Sequence, residues 1–381
     1  MTDSAWAVAA EALELRRWAL RLLAGGGGEP PAASARSWEA LVRGERCALP
    51  LRSRRRALPE EARAVLERCA TAELQRFLSV QAQTRLLGTL LRERGWPGVV
   101  LKGAAHAAEG GEPLDVADVD VLLPREHAVE FAALLEARGG HRALGTDAAG
   151  ASGTGWQLAT RLAEGGVQVE VHFDVPFLAG EGDPWEATLP TPVRGVLRLS
   201  PANHLWHVLV HGVVHHVERR GSLRELLLLL SARAACSAHD LREVERRAAA
   251  HRAARPLRAT LGMLEALTAG TDPGDPFCAV AAARYGLFAG AGKRWGAGRF
   301  GMAAASSAFA LAEGDGAYRG LWMGSPASAL AGPGFRGSTR WDRFALPAWG
   351  ARVAWRTAHL ALATLPAWLA ARSARRLARG G

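Results

Sequence analysis

Two short stretches of the chain alternate apolar and polar side chains with a period of two: ADVDVLL at residues 117–123 and VQVEVHF at 167–173. That period commits a segment to a half-buried strand, because successive side chains leave opposite faces of a sheet. Val119, Val121 and Leu123 then share the core face of the first strand, with Asp118 and Asp120 opposite. In the second, Val167, Val169, Val171 and Phe173 face inward, and Glu170, His172 and Asp174 lie on the other side. If the two strands are neighbours, Asp118, Asp120 and Glu170 converge. Ionised carboxylates that close repel one another and are costly to bury, so a cation belongs among them. An oxygen-only donor set suits a hard ion, Mg²⁺ or Mn²⁺.

Upstream, VVLKG at residues 99–103 predicts a buried strand that runs directly into a helix, AAHAAEG. A glycine-containing strand-to-helix turn presents backbone N–H groups at the positive end of the helix dipole, which favours an anion. Lys102 adds a point charge, and Lys102, Gly103 and Ala104 are the candidate phosphate-binding residues. Lys102 and Lys293 are the only lysines among 47 basic residues, so a lysine at the end of a buried strand stands out. An anion site beside a carboxylate-held metal is the arrangement that phosphoryl or nucleotidyl transfer needs.

The surrounding pattern is helical. The N-terminal segment, with Asp3, Glu11 and Glu14 among apolar residues, predicts an amphipathic helix with a glycine stop rather than a secretory signal. GGGGEPPAASARS predicts a linker. From Pro59 to about Arg94, apolar residues recur every three or four positions (Leu66, Cys69, Leu74, Phe77, Leu78, Leu86, Leu87, Leu90), and RGWPG ends the run. Helical spacing resumes after Pro201 and continues to about residue 270. The expected class is therefore α/β (α+β), a small mixed sheet flanked by helices, with helical N- and C-terminal regions. The expected division is an N-terminal helix and linker at 1–58, an α/β core with its leading helix at 59–199, a helical companion at 200–270, and a Gly-, Ala- and Trp-rich region at 271–381.

LLRERGWPGVVLKGAA, then DVDVLLPREHAVEFAALLEARG, then VEVHF, resemble the uncharacterised nucleotidyltransferase family of the polymerase-beta-like superfamily. The resemblance covers roughly residues 66–235. It implies a nucleotidyltransferase-type sheet, with Asp118 and Asp120 as metal ligands and Glu170 as the third acid. It implies Lys102 and Gly103 in place of the more usual Gly-Ser phosphate turn, and an NTP, ATP by expectation, as substrate. Two positions depart from the family pattern: Leu114 stands where an arginine is common, and Glu170 where aspartate is common. The expected activity is a metal-dependent transfer of a nucleoside monophosphate to an acceptor hydroxyl. The alternative is a catalytically degenerate fold that binds a nucleotide or a protein.

Four histidines, His204, His207, His211 and His215, share one face of a predicted helix, with His216 off that face and exposed. Imidazoles are good zinc ligands, but four from one straight helix cannot surround a tetrahedral ion. The resemblance offers the other reading, in which His172, His207, His211 and His215 line the cleft.

The formal charge of +10 is concentrated at the end of the chain, where residues 335–381 hold nine arginines and one acid, interleaved with tryptophans. That tail suits a membrane surface, a nucleic acid, or an Ala-rich helix packed on the body. No uninterrupted apolar stretch is long enough to predict a transmembrane helix. Cys47, Cys69, Cys236 and Cys278 have no paired spacing, which argues against a zinc knuckle or disulfide framework and fits a cytoplasmic location.

Overall fold

In a computed structural model of the protein, the described residues are 3–26, 28–53, 58–138, 141–142, 157–161, 167–173, 175, 185, 187–216, 219–251, 253–278, 280–282 and 284–285. Asp174, the side chain of His215 and the tail at 335–381 lie outside them.

Helices α1 (Asp3–Leu23), α2 (Ala35–Glu45) and α3 (Ala48–Arg52) lead into α4 (Glu60–Arg94), a rod of 35 residues. Gly95 ends it in the left-handed region at φ 67°, and Trp96 N–H returns to the Leu91 carbonyl at 3.0 Å. Phe77, Val80, Leu87 and Leu91 are buried, whereas Leu78 and Leu86, counted in the sequence stripe, are 52% and 43% exposed. The stripe is narrower than the sequence implied, because a rod touching the body along one line buries about one residue per turn.

The sheet follows. Its strands are β1 (Val99–Val100), β2 (Asp118–Leu122), β3 (His141–Arg142), β4 (Gln157–Arg161), β5 (Gln168–His172), β6 (Thr188–Pro190) and β7 (Leu197–Leu199), in the order β3-β4-β5-β2-β1-β7-β6. The β2–β5 and β1–β7 pairs are parallel and the others antiparallel. The mixed sheet with helical cover agrees with the expected class. Strands β3, β6 and β7 were not foreseen, because two- and three-residue strands carry too few alternations to register.

Val119, Val121 and Leu123 are fully buried, as are Val169 and Val171, so the predicted core faces are the observed ones. Helices α5 (Lys102–Ala108) and α6 (Arg125–Ala137) follow β1 and β2. Beyond the sheet come α7 (Pro201–Val210), a π-helical turn at His211–His215, α8 (Leu223–Ala234), α9 (Ala238–Ala250) and α10 (Ala254–Ala269). One continuous core runs from Val8 in α1 to Tyr285.

Glu45 at the end of α2 ties these parts together. Its carboxylate meets Arg16 Nη1 at 3.0 Å, Arg284 Nη2 at 2.7 Å and Leu223 N–H at 2.7 Å, and accepts from the Tyr285 hydroxyl. Arg16 reaches on to Asp275 at 2.8 Å and the Gly221 carbonyl at 2.6 Å. Three well-separated helices and the segment after α10 are thereby held in one arrangement.

Candidate active site

Register decides what meets. In the parallel β2–β5 pair Asp120 lies directly opposite Glu170, Asp118 opposite Gln168, and Leu122 opposite His172. On the other side of β2, Leu101 N–H donates to the Asp120 carbonyl at 3.0 Å, which brings the end of β1 alongside the same residue. Lys102 then turns the chain into α5 with φ 48°. A non-glycine residue in that region costs about 1 kcal/mol. The turn carries the ammonium to 2.7 Å from Asp120 Oδ1 and 3.1 Å from His211 Nε2. The cation that the carboxylates require is, in this structure, the chain's own lysine.

His172 donates from Nε2 to the same Asp120 oxygen at 2.8 Å and lies 3.9 Å from Glu170 Oε2. Asp120, Glu170 and His172 each offer a ligand atom within 4.8 Å of the others, the arrangement a metal ion needs. Asp118 shares the strand face but stands outside that group and is half-buried.

Charge within the site is unevenly distributed. Burial raises the proton affinity of Asp120, but Lys102 and His172 more than offset it and hold the carboxyl well below the usual range. Lys102 also lowers Glu170, but by too little to offset the opposing effects. Burial and the Asp120 charge push it up to about 7, and Gln168 Nε2 donates to its Oε1 at 2.7 Å. Asp118 is also raised, by burial first and Asp120 second. The three acids therefore carry more negative charge than the residues around them neutralise.

The histidine face divides. His211 meets Lys102, and because it accepts from an ammonium its Nε2 carries no proton. His207 is 3% exposed and stacks on His211 at 6.1 Å between ring centroids, its basicity lowered first by burial and then by Lys102. His204 is likewise buried, which lowers it to about 4. Among the described residues these rings form no metal-binding group. His216, expected to be exposed, is half-buried against His211 at 4.5 Å. The π turn explains this: His216 N–H bonds to the His211 carbonyl, bringing residues five apart together where an α-helix brings three or four.

Gly103 is glycine for a packing reason. A Cβ there would lie 2.6 Å from Val116 Cγ1, so the first turn of α5 can press on the loop feeding β2. Ala104 N–H is already bonded to the Leu101 carbonyl at 3.1 Å.

That loop contains what the sequence did not disclose. Asp115, 2% exposed, accepts from Arg46 Nε at its Oδ2 and from Arg76 Nε at its Oδ1, both at 2.6 Å. Its carbonyl accepts from Arg224 Nε at 3.0 Å. These arginines come from the end of α2, from α4 and from α8, and no spacing links them. Leu114, at the position where an arginine was expected, is buried in the core.

No helix among the described residues is long and apolar enough to cross a membrane. The sequence profile of a family described as "uncharacterised nucleotidyltransferase" matches residues 47–269, which include every strand of the sheet and the face carrying Asp118, Asp120 and Glu170. No curated protein matches the chain.

Proposed function

Because the chain belongs to the uncharacterised nucleotidyltransferase family, we propose that it transfers a nucleoside monophosphate from an NTP, ATP in the first instance, to an acceptor hydroxyl and releases pyrophosphate. The observation that carries this reading is the in-register meeting of Asp120 and Glu170 across β2 and β5, with Asp118 on the same face. Three carboxylates of the same sign on one largely buried face are a poor structural choice by themselves and a good seat for a divalent cation.

The donor set fits such an ion. Glu170 retains a proton up to about pH 7 when only the protein's own groups surround it, a cost that a bound cation removes. His172 is engaged with Asp120, so its natural role is to orient that carboxylate, leaving oxygens of Asp118, Asp120 and Glu170 for Mg²⁺ or Mn²⁺. When bound, the ion would act as a Lewis acid on the phosphates and stabilise the charge that develops as pyrophosphate leaves.

The chain's own residues do the rest. The acceptor oxygen attacks the α-phosphorus, the bond to the bridging oxygen breaks, and the electron pair departs with pyrophosphate. Glu170 lies directly opposite Asp120, and an oxygen of its carboxylate that the ion leaves free is placed to draw the acceptor's proton. Lys102 is tied to Asp120 and His211, and an incoming cation at Asp120 would free its ammonium for a phosphate oxygen. Gly103 lets the first turn of α5 sit against Val116, which places that ammonium.

The test is the Asp118→Asn/Asp120→Asn double variant, assayed for pyrophosphate release from α-labelled NTPs incubated with cell lysate. The expected result is loss of at least about a thousandfold in transfer, with circular dichroism unchanged. Unchanged turnover in a folded double variant rules the mechanism out. Nucleotide binding without pyrophosphate release by the unaltered protein would favour a binding module instead.

A further inference from the structure

Lys102 reaches the site on a flexible four-carbon stem, and two bonds fix its ammonium, to Asp120 Oδ1 at 2.7 Å and to His211 Nε2 at 3.1 Å. The first of these acceptors belongs to the carboxylate face that suits a divalent cation. A cation seated there takes that oxygen and repels the ammonium. A lysine released from Asp120 gains rotamer freedom by swinging into solvent, so what keeps it in the cleft is its second partner.

The fold presents that partner with care. His211 stands where α7 passes into the π turn. Its N–H bonds back to the His207 and Val208 carbonyls, while its own carbonyl accepts from His216 N–H at 2.9 Å, five residues on. A π turn is uncommon and recurs at functional sites. This one is pinned from inside, because Arg220, itself buried, donates from Nε to the Val213 carbonyl at 2.6 Å, and Val213 and Val214 are buried as well. The turn folds the His216 ring edge-on to His211 at 4.5 Å, and His207 stacks on His211 with the ring planes 29° apart. Packed against two rings, the His211 imidazole is fixed in direction with Nε2 on Lys102.

A neutral imidazole also suits the position. It holds an ammonium through one lone pair and adds no charge to a face already rich in acids. Its bond to Lys102 does not depend on the charge at Asp120, so it persists when a metal matches that charge.

We propose that His211 is a positioning residue for Lys102, presented by the π turn, which keeps the ammonium in the cleft when a divalent cation takes Asp120. This rests on the metal-dependent transfer reading above. His211 acts through Lys102 alone, leaving the other N–H donors of the ammonium for the substrate.

The chain has two lysines, Lys102 and Lys293, so a lysine footprint reads this side chain without ambiguity. The full chain is acetylated with limiting acetic anhydride, with and without saturating Mg²⁺, and modification of Lys102 is quantified by peptide mass spectrometry against an added lysine peptide. Mn²⁺ binding is followed separately by electron paramagnetic resonance. The unaltered protein is expected to protect Lys102 in both conditions. His211→Leu should keep that protection without metal, where Asp120 still holds the ammonium, and lose it about tenfold at saturating Mg²⁺. His211→Gln, whose amide oxygen accepts the same bond, should stay within about threefold of the unaltered protein. Pyrophosphate release should follow the same order, down about a hundredfold in His211→Leu and back to within about tenfold in His211→Gln. His211→Phe, which keeps a ring against His207 and His216 but removes the acceptor, repeats the test if the leucine variant does not fold. Equal protection of Lys102 in a folded acceptor-less variant and the unaltered protein at saturating Mg²⁺ overturns the proposal, as does exposure of Lys102 by Mg²⁺ in the unaltered protein. The two readings fail separately. Metal-dependent loss of protection in His211→Leu, with no pyrophosphate released from any NTP by the unaltered protein, keeps the tether and removes the reaction. Pyrophosphate release with equal protection keeps the reaction and removes the tether. No Mn²⁺ bound by the unaltered protein removes both.

Discussion

The molecule buries acids in two places and treats them in opposite ways. Glu45 is surrounded by Arg16, Arg284, the Tyr285 hydroxyl and the Leu223 N–H. Burial alone would raise its proton affinity, yet Arg16 and Arg284 bring it below the ordinary value. Across β2 and β5, Asp120 has Lys102 and His172, while Glu170 beside it is raised to about 7. One cluster is electrostatically complete and the other is short of positive charge. A complete cluster holds helices together; an incomplete one is where a cationic ligand gains most by binding.

Breaking the complete cluster should have the largest effect. Glu45→Ala leaves Arg16 and Arg284 buried without their shared carboxylate, and a loss of about 3–5 kcal/mol in denaturant unfolding is expected, whether or not divalent metal is present. A loss below about 1 kcal/mol would mean that the knot contributes little.

At the incomplete cluster, Lys102→Met removes the lysine from Asp120. We expect about 3 kcal/mol of destabilisation in metal-free buffer, and recovery of most of it with saturating Mg²⁺ or Mn²⁺, because a cation at Asp120 replaces the missing ammonium. The melting temperature with and without metal checks this. Equal destabilisation in both conditions would make the lysine structural and erase the contrast with Glu45.

The smallest effect is a pH dependence. Glu170 has a folded value of about 7 against an ordinary 4.5, so the folded state binds its proton more tightly. Its stabilising contribution is fully present below about pH 4.5 and is lost as pH rises through 7. The difference in unfolding free energy between the wild type and Glu170→Gln, followed across that window without metal, should drift against the wild type by on the order of 2 kcal/mol. Saturating metal should flatten the drift. A flat profile without metal would show that Glu170 is neutralised by a partner after all.

The two clusters also differ in how much of them could be read in advance. Asp118, Asp120 and Glu170 were legible because each sits in a segment whose alternation declares a face, and the parallel pairing of β2 with β5 needed only that those faces match. The Lys102 position was legible as a strand-to-helix turn, but its pairing with Asp120 and His211 was not. Nor was the π turn that folds His216 onto His211, since helical spacing presumes about 100° per residue.

The arginine cluster lay beyond any such reading. Arg46, Arg76 and Arg224 belong to three helices whose internal periodicity says only that these residues are not core, and Asp115 looked like one more loop acid. Glu45 is the same case, because a single glutamate at a helix end predicts a solvated surface.

Local alternation and helical period therefore determined which residues could be strand, helix or core, and with them the common face of Asp118, Asp120 and Glu170. Those rules act over a few residues, and each is enforced by backbone geometry. Which charges share a site was decided only by the packing of α2, α4 and α8 around the loop before β2. Electrostatic pairing depends on distance in space, and nothing in the spacing along the chain encodes the distance from Arg46 or Arg224 to Asp115.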